Sequence, residues 1–391
     1  MTRPDPLRVG VNLLWLVPGV VGGSEEYTTR LLRGMAEAEG DDVHLTLFVL
    51  APFVAAHPDV VASFPTVSIG LDGGRRPVRV AAEATWLARE ARRRRIDLFH
   101  HAGGVVPPGP AIRRIPSLLT IHDLQPLDLP ANFSLVKRRW LASMLPRSVR
   151  AARMVVTPSD HVSRRVRDRF GLPEGRVRTV PHGVAPVVPS DPAARVAARQ
   201  RHGLAGRRFV LYPAVPYVHK DHATLLRAFA ALADDRPDVD LVLTGGPGPE
   251  DPALVELGRR LGVADRVRRT GRIPEAELAA LYDEASVVAV PSRFEGFGAP
   301  ALEAMAHGAP VVVADTTALP EVVGSAGRTV APGAVAAWEK ALADVLDHPA
   351  RAAAMADAGL RRAAEFGWDR AAGALRAAYV GAASIGEDGV R

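Results

Sequence analysis

The sequence predicts an α/β protein built from two doubly wound sheets, and three observations carry that expectation. Short β-rich runs alternate with helical patterns along nearly the whole chain, as strand–helix–strand crossovers require. The alternation pauses at a proline-rich stretch, Pro186-Val187-Val188-Pro189-Ser190-Asp191-Pro192, and then restarts. With 391 residues the chain is long enough for two sizeable cores.

In the first half the strand patterns fall at residues 7–13, 44–50, 97–100, 117–121, 154–158 and 177–180. Helical patterns fill 24–38, 78–95, 135–150 and 159–170, and Ser24 ahead of Glu25 and Glu26 reads as an N-cap with acids in the first turn. Residues 7–21, flanked by Arg3 and Arg8, have the outline of a signal peptide. Residues 7–13 read better as a first buried strand whose removal would damage the sheet. The second series begins at 209–212 and continues at 239–244, 267–270, 287–290, 310–313 and 328–331. A last helical stretch follows Phe366-Gly367-Trp368-Asp369 to Tyr379, and residues 381–391 read as frayed.

Composition narrows the function classes. There is no cysteine, which excludes disulfides and thiolate metal sites and agrees with a reducing cytosol. No apolar run approaches the roughly 18–20 residues of a membrane-spanning helix. The first 190 residues hold 26 Lys and Arg against 17 Asp and Glu, whereas the remainder holds 23 against 26. A basic half of this kind suits an anionic acceptor or a peripheral contact with the inner membrane face. A solvated face of arginine-rich helices accounts for it equally simply and is the preferred reading. Nucleic acid is not expected, because the basic clusters lack interleaved aromatics and match no reader motif.

The most specific signal is Val290-Pro291-Ser292-Arg293-Phe294-Glu295-Gly296-Phe297-Gly298-Ala299-Pro300-Ala301-Leu302-Glu303. A buried strand running into a glycine turn and then a helix start presents backbone N–H groups at its tip, here around Gly296, Phe297 and Gly298. With the positive end of the helix dipole, they suit a phosphorylated ligand. Glu295 on the loop and Glu303 in the helix would accept hydrogen bonds from hydroxyls, as on a sugar or ribose.

This spacing resembles the E-x7-E signature of retaining glycosyltransferases of family 4, and Gly271-Arg272-Ile273-Pro274 before it and Glu303-Ala304-Met305-Ala306-His307-Gly308 after it strengthen the likeness. The resemblance covers nearly the whole chain. It implies the GT-B fold: α/β, two Rossmann-like doubly wound domains facing across a cleft. The expected division is an acceptor domain at 1–186, a linker at 187–206, a nucleotide-sugar domain at 207–366 and a tail helix at 367–391 that crosses back to the first domain.

By the same resemblance, Lys220 contacts the donor diphosphate, and a positive charge there would offset the charge that develops as the nucleotide leaves. Many relatives carry an arginine a few residues earlier; here Pro213-Ala214-Val215-Pro216-Tyr217 has none. His219, His222 or Arg272 could supply that second positive contact. His122, after the fourth strand, resembles the histidine near the reacting sugar, with Asp123 orienting the loop or capping. Gly22 and Gly23 match a glycine pair facing the donor phosphate and acceptor, and paired glycines let a backbone approach a ligand closely. Gly246 is expected in the nucleotide pocket, and Arg272-Ile273 matches a strand end whose backbone reads the base. His100, His101 and His182 are pocket-lining at best, and their spacing makes no metal site.

The expected activity is therefore hexosyl transfer, mannose or glucose type, from a nucleotide diphosphate sugar (GDP-mannose or a UDP-hexose) to a hydroxyl acceptor, lipid-linked or anionic among the choices. The family implies front-face attack, although a covalent intermediate on Glu295 is conceivable. Nothing resembles an Asp-x-Asp clamp, so neither a metal nor a cofactor is expected, and the expected location is cytoplasmic. Two alternatives stay open: a GT-B sugar-nucleotide 2-epimerase and a non-catalytic nucleotide-sugar binding module.

Overall fold

The computed structural model describes residues 5–38 and 40–385. The chain forms two compact units, one made of the residues up to Gly183 with those from Trp368 onward, the other of Val184–Gly367.

In the first unit seven strands form one parallel sheet: β1 Leu7–Asn12, β2 Val43–Leu50, β3 Thr66–Ile69, β4 Leu98–His101, β5 Ser117–Thr120, β6 Met154–Thr157 and β7 Val177–Thr179. Their order is β3-β2-β1-β4-β5-β6-β7, so the winding reverses between β1 and β4. The edge strand β3, Thr-Val-Ser-Ile, was not expected from the sequence; it has no fully buried residue and only four positions. Its pairing with β2, from Leu47 opposite Thr66 to Leu50 opposite Ile69, makes it a strand.

The second unit carries β8 Arg208–Pro213, β9 Val239–Thr244, β10 Val267–Gly271, β11 Val287–Val290, β12 Val311–Ala314 and β13 Arg328–Val330, ordered β10-β9-β8-β11-β12-β13 and parallel throughout. All four residues of β11 and of β12 are buried. Helices cover both faces of such a sheet, so its central strands read as continuous β-branched runs.

Three expectations are corrected. The helix Gly23–Glu37 starts one residue before Ser24, and its cap is Gly22, at φ 63° and ψ −134°, with no side-chain cap bond. That backbone conformation favours glycine, so the turn is set before Ser24 can act. The stretch expected as a linker holds the helix Pro192–Arg201, capped by Asp191 Oδ1 accepting from the Ala193 N–H at 2.8 Å. It packs on the helix Glu275–Glu284, where Arg195 and Arg199 both reach Glu284, and so belongs to the second unit. The tail helix runs Trp368–Ser384, beyond the expected fraying point at Gly381. Residues 386–391, and Arg3 at the other end, lie outside the described residues.

The tail helix is part of the first unit's core. Ala371, Ala372, Leu375, Ala378, Tyr379 and Ala382 are buried among residues of β1, β2 and the helix Gly23–Glu37. Among the described residues no helix is long and apolar enough to cross a membrane.

Candidate active site

In open parallel sheets, ligands bind beyond the carboxyl ends of the strands where the winding reverses. In the second unit that point lies between β8 and β11, and the expected residues gather there. Lys220 follows β8 in a single tight turn, Val218–Lys220, and Glu295 follows β11. Lys220 Nζ donates to Glu295 Oε1 at 2.6 Å, with both side chains mostly buried. The Glu295 N–H donates to Thr317 Oγ1 at 3.0 Å, fixing the loop. Beneath them the buried Tyr212 hydroxyl donates to the Lys220 carbonyl and meets Ser292 Oγ, each at 2.9 Å.

Glu303 lies in the second turn of the helix Ala299–Ala306, whose N-cap is Gly298 at φ 103°. That backbone conformation favours glycine, and a Cβ there would also press on Leu319 Cδ2 at 2.6 Å. The Tyr282 hydroxyl donates to Glu303 Oε2 at 3.0 Å. Tyr282 in turn stacks on His307 at 5.3 Å, and His307 Nδ1 lies 2.6 Å from Asp283 Oδ1. Phe297, placed by sequence in the binding loop, has its ring in the core against Phe366, so its side chain does not face a ligand.

The second cation left open by the sequence is narrowed here. Burial, with the neighbouring Lys220, pushes His219 down to about 4, and burial pushes His222 to about 4 as well, so both are neutral at pH 7. His222 Nε2 donates to the Ala214 carbonyl at 3.2 Å, and its buried Nδ1 has no partner. Arg272 is exposed beside Gly246 and is the charged one of the three. Sequence reasoning missed Arg293, whose Nε donates to Asp221 Oδ2 at 2.7 Å and whose N–H donates to the His219 carbonyl at 2.7 Å. It stood inside the quoted loop, but nothing local linked it to Asp221. A cavity of about 250 Å³ at the ends of β8, β9 and β10 is lined by Gly245 and Gly271 rather than by Gly246, Arg272 or Ile273. Gly245 is irreplaceable there: at φ 135° its Cβ would lie 2.8 Å from the Ala214 backbone. Ile273 packs partly against the hydrophobic core.

The first unit has its own site at the corresponding place. Gly22 and Gly23 open the helix after β1, and a Cβ on either would meet nothing within 4 Å. The Gly19 N–H donates to Glu25 Oε2 at 2.8 Å, and Glu25 Oε1 is 2.9 Å from His57 Nε2. His122, just beyond β5, donates from Nε2 to the Ala102 carbonyl at 2.9 Å, which leaves Nδ1 as the ring's acceptor. Burial pushes His122 down to about 4, so the ring is neutral at pH 7. Trp15 and Tyr27 flank it at 6.1 and 5.4 Å. Asp123 Oδ1 accepts from the Gln125 N–H at 2.9 Å, the turn-orienting role expected of it.

His122 and Asp123 line a cavity of about 560 Å³ that also takes in Asn12, Arg76, Arg79, Glu83 and Lys137. Gly22 and Gly23 are not in its wall, although Val20, Val21 and Ser24 are. The arginines of this region were read mainly as a solvated face; Arg76 and Arg79 instead face the cavity. Arg76, Arg79 and Glu83 stand three and four residues apart on one helix, which puts them on one face, and that spacing was the available signal. His100 is a core residue, held between the Tyr379 hydroxyl at 2.8 Å and Thr120 Oγ1 at 2.6 Å. His182 stacks on Tyr27 at 4.4 Å. Among the described residues no group of three or more His, Asp or Glu could hold a metal ion.

Two family models match the chain: glycosyltransferase family 4 over residues 21–188 and glycosyl transferases group 1 over 207–348. The O-antigen chain mannosyltransferase B of Escherichia coli is 31% identical over 255 residues, 65% of this chain and 67% of that protein. The D-inositol 3-phosphate glycosyltransferase of Streptomyces coelicolor is 37% identical over 218 residues, 53% of this chain and 48% of that protein. The chain thus spans only about half the length of that second relative. Among solved structures, Anabaena HepE in complex with UDP and glucose superposes with a TM-score of 0.74 at 20% identity, covering 95% of this chain and 98% of that one.

Two doubly wound parallel units with this likeness define a protein of the GT-B fold. The chain belongs to the family 4 glycosyltransferases. The epimerase and the binding module are not favoured by these relatives.

Proposed function

We propose that the protein is a retaining hexosyltransferase that moves a mannose- or glucose-type sugar from a nucleotide diphosphate donor to a hydroxyl acceptor. The observation that carries this reading is the Lys220–Glu295 pair at the switch point of the second unit, with Glu303 eight residues further on in the next helix. At 2.6 Å each charge neutralises the other. A bound diphosphate competes for Lys220 and releases Glu295 to accept from sugar hydroxyls.

In this reading Lys220 and the N–H groups around Gly296–Gly298 meet the charge that grows on the departing diphosphate, with no metal ion required. Glu303, oriented by Tyr282, accepts from the ribose hydroxyls. The bond from the anomeric carbon to the donor phosphate oxygen breaks as the acceptor oxygen bonds to the same face. The acceptor proton passes to the leaving phosphate oxygen. His122, neutral and with Nδ1 as acceptor, takes a hydrogen bond from a sugar or acceptor hydroxyl near the reacting carbon. The first unit binds the acceptor and the reaction is cytosolic. The mannosyltransferase relative supports a mannose donor, and the structure holding UDP and glucose supports a UDP-hexose.

Calorimetric titration with UDP and GDP tests the reading. One nucleotide binds selectively, and Lys220→Ala and Glu303→Ala each weaken it by about tenfold, the loss of one charge-assisted hydrogen bond. Glu295→Ala slows transfer with a smaller effect on nucleotide affinity. Folded wild-type protein that binds neither nucleotide would sink the donor-site assignment.

A further inference from the structure

The cavity of the first unit holds charged side chains that the transfer chemistry above leaves unused. Arg76 and Arg79 reach it from the helix Arg76–Arg93, and Lys137 reaches it from the separate helix Leu135–Ala151. None of the three has a carboxylate within 4 Å among the described residues. Elsewhere in this chain arginines are commonly paired, as Arg8 is with Asp97 and Arg208 with Asp238. Arg79 Nε is buried with no hydrogen-bond partner, and its Nη1 makes only a long contact of 3.4 Å to the Trp15 carbonyl. A buried guanidinium N–H without an acceptor costs free energy that an incoming anion would return.

The charges lining the cavity also work against one another. Burial and then the nearby Arg76 guanidinium hold the Lys137 ammonium below its usual range, with Asp123 opposing. Burial likewise lowers Arg79, and Arg76 adds to that effect while Glu83 opposes it. Like charges facing one cavity with too few counter-charges are placed for a ligand that brings its own. The two carboxylates present do not fill that need. Burial pushes Glu83 up to about 7, so about half of it is neutral at physiological pH and can donate rather than repel. Asp123, whose Oδ1 also accepts from the Gln125 N–H, is one carboxylate facing three cations. Trp15, Phe133, Trp140 and Leu141 give the wall an apolar and aromatic part, and Asn12, Ser24 and Gln125 add polar groups, a mixed surface that suits a sugar or polyol ring.

We infer that this cavity takes an acceptor bearing a phosphate group, seated among Arg76, Arg79 and Lys137, with its reacting hydroxyl carried toward His122. The inference rests on the reading that the first unit binds the acceptor. Guanidinium groups match phosphate oxygens two at a time, and the ammonium adds a point charge. The phosphate belongs either to a soluble sugar or polyol phosphate or to a lipid headgroup, and the chemistry of the seat is shared.

The test titrates the full chain, by calorimetry and by the fluorescence of Trp15 and Trp140, with matched pairs: glucose and glucose 6-phosphate, myo-inositol and its phosphates. Phosphatidylglycerol in phosphatidylcholine vesicles forms a separate arm, read by sedimentation. At least one phosphorylated compound or the anionic vesicles should bind more than tenfold tighter than the uncharged counterpart. Arg76→Ala and Lys137→Ala should each cut that preference by about tenfold, with UDP and GDP binding unchanged. Both sites reach solvent, so these variants should fold. A preference confined to soluble compounds assigns a soluble acceptor, and one seen with vesicles and lost in the double variant assigns a lipid-linked one. If no phosphorylated compound or vesicle is preferred, or the preference survives the double variant, the phosphate seat is overturned. Intact nucleotide binding in that case leaves the donor-site reading standing; absent nucleotide binding in wild type would defeat that reading separately.

Discussion

Glu83 illustrates how a single carboxyl can be set against the fold that holds it. Burial raises it from 4.5 to about 7, with Arg79 and the Asn12 amide at 3.5 Å only partly offsetting the cost. A carboxyl with a raised folded-state pKa binds its proton more tightly in the native state. Its contribution is therefore fully present below about pH 4.5 and is lost as pH rises to 7. The difference is at most about 3 kcal/mol, lessened by the water that still reaches the group. Glu83→Gln should accordingly be more stable than wild type at pH 8, and the gain should vanish by pH 4. Urea midpoints at the two pH values decide it; equal midpoints throughout would show that Glu83 is solvated. None of this was legible locally, because the sequence shows a glutamate on an amphipathic helix and not the cavity it faces. Glu303 is the opposite case: its place beyond a glycine turn was readable, although its partner Tyr282 was not.

At the scale of elements, the tail helix shows which local signals hold. Its apolar positions announced a helix, but Gly381 looked like a stop. It continues through Gly381, where a side chain would meet Met154 Cε at 3.1 Å, so this glycine marks close packing and not an end. Gly34 plays the same part on the helix it packs against. A Cβ there would lie 2.8 Å from the Trp368 carbonyl oxygen and 3.1 Å from its Cβ. Alanine gains about 1 kcal/mol of helix propensity over glycine, but backbone cannot yield as a long side chain can, and overpacking costs about 1–3 kcal/mol. Gly34→Ala should therefore lower the denaturation midpoint; a rise would mean that the tail helix shifts freely.

For the whole molecule the buried histidines dominate the response to acid. In the first unit burial lowers His100, His101 and His182 to about 3 and His122 to about 4; in the second, His219 and His222 reach about 4. Each is neutral in the native state, so its contribution is complete above pH 6.5 and is lost as pH falls toward 3–4. At pH 5 the loss is up to roughly 2 kcal/mol per histidine, and four against two places the larger loss in the first unit. The Glu83 effect runs the other way and is smaller than the four together. Trp338→Phe leaves tryptophans only in the first unit, so its fluorescence reports that unit while calorimetry reports both. Between pH 7.5 and 5 the fluorescence transition should fall further than the calorimetric transition that the fluorescence does not follow. An unchanged transition would mean that these rings are reached by water.

Sequence by itself determined the doubly wound class, the second unit's strands and the motif Lys220, Glu295 and Glu303. Buried parallel strands and glycine turns leave marks within a few residues of themselves, and so can be read locally. Only the tertiary structure decided which strand ends meet. Lys220 and Glu295 are 75 residues apart and touch because β8 and β11 pair side by side. Arg76, Arg79 and Lys137 became one cavity wall because helices from either side of the first unit's switch point converge there. Such contacts, and the desolvation that retunes Glu83 and the histidines, are sums over residues distant in the chain, and no local pattern contains them.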